Sequence, residues 1–145
     1  MTKTQLSRYL RNHISGQLYY DSDGERVGTA IYSLSDPRDL RATRYVGQTS
    51  APKRRFLQHL NTARLWLPDE RPFWVVAPEL RPLYEWIREL YQDERRLPTM
   101  VVYEWVATQS QARIRERSRI YECLQQRLPI LNVEAEISSI QMPLL

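Results

Sequence analysis

A chain of 145 residues, 42% hydrophobic and 26% charged, suits one domain with an ordinary core, and its 4 Trp, 9 Tyr and 2 Phe exclude a disordered or collagen-like polymer. Its 21 basic residues against 17 acidic ones leave a charge of +4. Only Lys3 and Lys53 are lysines, so nearly all of the positive charge is arginine, whose planar fork matches phosphate oxygens.

Taken in chain order, Leu6, Tyr9, Leu10 and Ile14 fall at helical intervals before Gly16, which predicts an opening helix over Thr4 to Ser15. Asp21-Ser22-Asp23-Gly24 reads as a turn. Val27 to Leu34 reads as a strand, Ser35 to Asp39 as turn and loop, and Arg44 to Gln48 as a second strand that pairs with the first in an antiparallel hairpin. Ser50 suits an N-cap, with Pro52 in the first turn of a helix that runs to about Trp66 and buries Phe56, Leu60, Ala63 and Leu67. Three prolines between Leu67 and Pro78 make that stretch an irregular insertion. A further helix is expected from Pro78 to about Asp93, with Leu80, Leu83, Tyr84, Ile87, Leu90 and Tyr91 inward and an acidic outer face. Thr99 to Ala107 is the best candidate for a central strand, and Thr108 with Gln111 forms a capping box for a last helix that Pro129 ends. The segment after Val133 is acidic and weakly patterned. The expected organisation is one domain, with an N-terminal extension over 1–26, a core over 27–133 interrupted by an insertion at about 67–97, and a tail over 134–145.

No apolar run approaches the roughly 18 residues of a membrane span, and no apolar secretory stretch opens the chain, so the expectation is an intracellular protein with no membrane partner. Cys123 is the only cysteine, which excludes an internal disulfide and a thiolate zinc cage, and His13 and His59 are the only imidazoles. The positive charge is concentrated: Arg38, Arg41, Arg44, Lys53, Arg54, Arg55 and Arg64 lie in one segment with Asp39 as its single acid.

Two positions in the helices carry chemistry. Arg55 and His59 are four apart and lie together beside the apolar stripe of the first core helix, where a guanidinium and an imidazole reach the same point above a sheet; a solvated Arg/His pair has the same spacing. Glu116 projects from the middle of the inward face made by Ala112, Ile120, Cys123 and Leu124. A carboxylate there requires a salt-bridge partner or a cation, and Mg²⁺ is satisfied by one carboxylate, waters and substrate oxygens.

Ala30-Ile31-Tyr32 followed by Tyr45-Val46-Gly47, then Arg55 with His59, Ala112-x-x-x-Glu116-x-x-x-Ile120, and Pro129-Ile130-Leu131-Asn132 together resemble the GIY-YIG nucleases over most of the chain, from about Gly28 to Val133. The resemblance implies an α/β domain of the α+β type: a small three-stranded antiparallel sheet flanked by helices, here with an extra N-terminal helix and an extra inserted helix. It also implies a metal-dependent endonuclease that hydrolyses DNA, double-stranded by preference, with one Mg²⁺ or Mn²⁺. By the same resemblance Tyr32 and Tyr45 face the scissile phosphate, Arg55 stabilises its charge, Glu116 holds the metal, His59 assists proton transfer, Asn132 fixes local geometry, and Gly47 allows close approach of backbone to substrate. Ala30 stands where glycine is usual.

Tyr32 and His59 compete for the role of general base, because a phenol of pKa near 10 is scarcely ionised at pH 7, at a cost of roughly 4 kcal/mol, whereas imidazole titrates near neutrality. Lys53, Arg54 and Arg64, with Arg38, Arg41 and Arg44, are the candidates for the DNA backbone. One site cuts one strand, so double-strand cleavage needs a homodimer or two binding events. The alternatives are a non-catalytic nucleic-acid or protein-binding module on the same fold, and a nuclease acting on structured RNA.

Overall fold

The computed structural model describes residues 12–17, 28–63 and 78–141. The β-branched and aromatic runs give β1 (Ile14–Gly16), β2 (Thr29–Asp36), β3 (Asp39–Thr49) and β4 (Thr99–Val106). The helices are α1 (Pro52–Thr62), α2 (Arg81–Glu94, entered through a 3₁₀ turn at Pro78–Leu80), α3 (Gln109–Gln125) and α4 (Glu134–Gln141). The fold is α+β, around one sheet of order β1-β4-β2-β3.

Central β2 is buried on both faces, and its alternation sorts the core. Ala30, Tyr32 and Leu34 point to one side, where they pack with Phe56 and Leu60 of α1 and Leu83 and Ile87 of α2. Ile31 points to the other, joining Val46 of β3 and Ala112, Ile120 and Cys123 of α3. The predicted stripes of all three helices therefore face the sheet.

The sheet differs from the expected one in a single respect. Strands β3, β2 and β4 are antiparallel, as expected, but β1 adds a fourth strand parallel to β4, so the sheet is mixed. The predicted opening helix is correspondingly absent at its end: Ile14–Gly16 is extended, while residues 4–11 lie outside the described part. The open edge of β4 outcompetes a short helical pattern, because His13 O and Gln17 N bond to Met100 N and Val102 O at 2.7 and 2.9 Å. Gly16 has φ +91, and a Cβ there would run into the Val102 carbonyl, so its glycine serves the strand rather than a helix stop.

Other boundaries moved for local reasons. The loop expected at Ser35 to Asp39 is a two-residue connection at Pro37 and Arg38, because both strands continue through it, and β3 starts at Asp39 rather than Arg44. Ala51, not Ser50, is the N-cap of α1 and has no side-chain cap; Thr49 Oγ1 instead accepts from Ala51 N at 3.1 Å. Residues 64–66, assigned to that helix, lie outside the described part, as do the turn at 21–24 and residues 67–77 of the insertion. The capping box at Thr108 and Gln111 is present. The expected tail is helix α4 from Glu134.

Edge strand β3 is closed by the segment after α3. Leu131 N donates to Arg44 O, and Asn132 addresses both backbone groups of Val46: its Oδ1 accepts from Val46 N at 3.1 Å and its Nδ2 donates to Val46 O at 2.9 Å. The buried amide thus behaves as one residue of a fifth strand. Replacing it by Asn132→Ala strands two buried backbone groups and should lower stability by about 2–4 kcal/mol in urea unfolding; a loss below about 0.5 kcal/mol would mean that water takes over both bonds.

Candidate active site

The register of the hairpin sets the site. Tyr32 lies opposite Gly47 on β3, and Tyr45 sits two positions back on the same face. A Cβ on residue 47 would stand 2.7 Å from the Tyr32 Cζ and Oη atoms and 2.9 Å from Tyr45 Cε1. Only glycine lets the Tyr32 ring lie across β3 beside Tyr45, at 6.2 Å between centroids. Gly47 therefore makes room for a side chain of this chain. Ala30 needs no such latitude, since its φ is not positive.

Because α1 begins three residues after β3, it passes directly over this face. His59 arrives with Nε2 2.7 Å from Tyr32 Oη and Nδ1 3.1 Å from Tyr84 Oη on α2. The Tyr45 ring meets the imidazole edge-on at 5.5 Å. Tyr32 and His59 are fully buried; Tyr45 and Arg55 are partly exposed and form the rim.

The charge state is a result of this burial. His59 is pushed down to about 3 by burial and then by the Arg55 charge, so the near-neutral titration expected of it does not hold. Burial also raises Tyr32 well above its ordinary value, with Tyr45 adding to the rise and Arg55 opposing it. Tyr45 is pushed up to about 12, again by burial against Arg55. Burial works against the charge of Arg55, but the phenols of Tyr32, Tyr84 and Tyr45 more than offset it. Arg55 Nη1 donates to Gln58 Oε1 at 3.4 Å, and the guanidinium makes no ion pair among the described residues. At neutral pH the cluster is three protonated phenols, a neutral imidazole and one uncompensated positive charge.

Glu116 approaches from the opposite face on α3. Its carboxyl is pushed up to about 7 by burial and by a hydrogen bond and like charge from Glu136 of α4, against Gln48 and Arg113. The charges of Glu116 and Glu136 also contribute to the rise at Tyr45, so the two groups of residues act on each other. Among the described residues, Gln48 Oε1 is a buried acceptor with no hydrogen-bond partner. Two carboxyls and an orphaned amide oxygen are donors that suit Mg²⁺, which takes one or two carboxylates and completes its shell with water and phosphate. Among the described residues no three His, Cys, Asp or Glu converge, so an all-protein cage is not built.

The remaining predicted residues divide. Asn132 has both amide atoms engaged by Val46, which makes it a clamp on β3 rather than a reacting group. Arg38 is held by Asp36 at 2.7 Å and Glu94 at 2.6 Å, at a hairpin tip about 13 Å along β2 from Tyr32. Arg41 lies 3.6 Å from Asp39 and is otherwise exposed. Arg44 stacks 5.9 Å above Trp86. Arg54 is exposed and Lys53 partly so, while Arg64 lies outside the described part. The charge-rich segment is thus neutralised at its hairpin end and stays open on α1.

Sequence reasoning missed Tyr84, Gln48 and Glu136. Tyr84 was legible only as part of an apolar stripe, and Glu136 sat in a segment without visible periodicity. Comparison of the chain with protein-family models, curated proteins and solved structures gave no match. Among the described residues no helix is long and apolar enough to cross a membrane.

Unfolded, His59 takes up a proton near pH 6.5; folded, it does so only near 3. Stability that is present above pH 6.5 is therefore lost on acidification, by about 1.4 kcal/mol per unit. Between pH 7 and 4.5 the wild type should lose about 2–3 kcal/mol more than His59→Gln in urea melts, a comparison in which the opposite trend of Glu116 cancels. Equal losses would place His59 in solvent.

Proposed function

We propose that the chain is a metal-dependent endonuclease of the GIY-YIG kind, with DNA as its substrate. The observation that carries this reading is Arg55: a partly buried guanidinium with no carboxylate partner among the described residues, set against three phenols and a neutral imidazole. Such a charge invites an anion, and a phosphodiester oxygen matches its fork. In the finer reading of the fold, β2, β3 and β4 with α1 and α3 form the nuclease core, and α2 is an addition.

Arg55 binds and stabilises the phosphate charge that grows during displacement. Glu116, with Glu136 and Gln48 Oε1, would hold the Mg²⁺ or Mn²⁺; when bound, that ion neutralises charge on the phosphate and leaving oxygen. Tyr45 lines the opening, and Tyr32 and His59 lie behind it as a path for a proton. A phosphate on Arg55 offsets one of the two causes that hold His59 low, so substrate binding itself makes the imidazole a better proton acceptor. Lys53 and Arg54 on α1 are the backbone contacts this reading retains.

A second reading has one observation in its favour: the complete burial of Tyr32 and His59 suits a non-catalytic DNA-binding module equally well. Supercoiled plasmid and structured RNA with Mg²⁺ or chelator separate the two. The nuclease reading expects metal-dependent nicking of the plasmid that falls about 100-fold in Glu116→Gln and in Arg55→Ala. Binding without cleavage under Mg²⁺ and Mn²⁺ would establish the module instead, and cleavage of the RNA alone would change the substrate.

A further inference from the structure

His59 is held at both ring nitrogens by phenols, and the second of them comes from α2, the element outside the family resemblance. A neutral imidazole has one N–H and one lone pair, so the chain Tyr32, His59, Tyr84 has a direction. The link at Nε2 is the short one, 2.7 Å, as suits an O–H donor, and the link at Nδ1 is 3.1 Å, as suits N–H donating to oxygen. Arg55 also addresses the oxygens of both phenols, and Thr62 that of Tyr84. Tyr84 Oη is buried among these groups and available as the acceptor of Nδ1–H.

We infer that Tyr84 is a positioning residue: its hydroxyl accepts the Nδ1–H of His59, fixes that tautomer, and leaves Nε2 bare to receive the proton of Tyr32. When Tyr32 Oη takes a proton, its own moves to Nε2; the imidazolium then donates to Tyr32 through Nε2 and to Tyr84 through Nδ1, and the reverse transfer restores the resting state. Tyr32 faces the imidazole from β2, Tyr45 from β3, Arg55 from α1 and Tyr84 from α2, so no carboxylate of these elements competes for the Nδ1 proton. The catalytic meaning of this arrangement rests on the nuclease reading, whereas the tautomer does not.

The test is ¹⁵N NMR of histidine-labelled protein, with the His59 signals assigned by their loss in His59→Gln, a short task in a chain with 2 His. The wild type should show His59 as the Nδ1–H tautomer alone. Tyr84→Phe, which removes one oxygen and keeps the ring, should convert it to a mixture with Nε2–H and lower kcat for plasmid nicking about 10-fold with KM unchanged. A wild-type ring protonated at Nε2, or a tautomer that Tyr84→Phe leaves unchanged, overturns the inference. The wild-type spectrum decides the matter even if the variant unfolds. Absence of nicking in the wild type would sink the nuclease reading, and the tautomer would still decide the role of Tyr84.

Discussion

The missing side chain at Gly47 is the constraint on which the rest depends. With any Cβ there, the Tyr32 ring has to leave β3, and its hydroxyl leaves His59 with it. The consequences run outward in order. Tyr32 across Gly47 brings its phenol under α1, α1 brings His59 and Arg55 over the sheet, and α2 closes on the far nitrogen of His59 through Tyr84. Asn132 holds the same stretch of β3 from its outer edge by gripping Val46. One strand is thus fixed on its face by aromatic packing and on its edge by a side-chain amide, and the candidate site is built on the fixed portion.

Burial that organises the cluster also silences it. Removing Tyr32 and His59 from water pushes the phenol up and the imidazole down, so in the resting protein neither exchanges protons readily at neutral pH. Arg55 alone keeps its charge, and that charge is one of the two causes that hold His59 low. An anion bound to Arg55 would therefore relieve the imidazole at the moment the site is filled. Glu116 has the complementary logic: burial and the neighbouring Glu136 charge oppose its ionisation, and a bound cation would favour it.

The elements with strong periodicity were legible in the sequence. The stripes of α1, α2 and α3 and the alternation of β2 and β4 come from residues such as Phe56, Ile87, Ile120 and Leu34, because burial of a whole face leaves a repeated signal. Tyr32, His59 and Arg55 could be named in advance, and their proximity is what the motif order implied. Illegible were contacts made by single residues across long separations. Ile14 reads as helical until the open edge of β4 is known, Tyr84 reads as core because a stripe does not show where its hydroxyl ends, and Glu136 gains meaning only opposite Glu116. The ion pairs of Arg38 with Asp36 and Glu94 likewise leave no local pattern. In each case the deciding partner is remote in sequence and carries no local signal.

The central claim is that a buried, neutral His59 is coupled to an anion-seeking Arg55. An NMR pH titration of the His59 ring, without metal, in the free protein and with a short DNA duplex, addresses it most directly. The account predicts no titration of the free ring between pH 5 and 8, and an upward move of its pKa when DNA is bound. A free ring that titrates near 6.5, or one indifferent to saturating DNA, would contradict it.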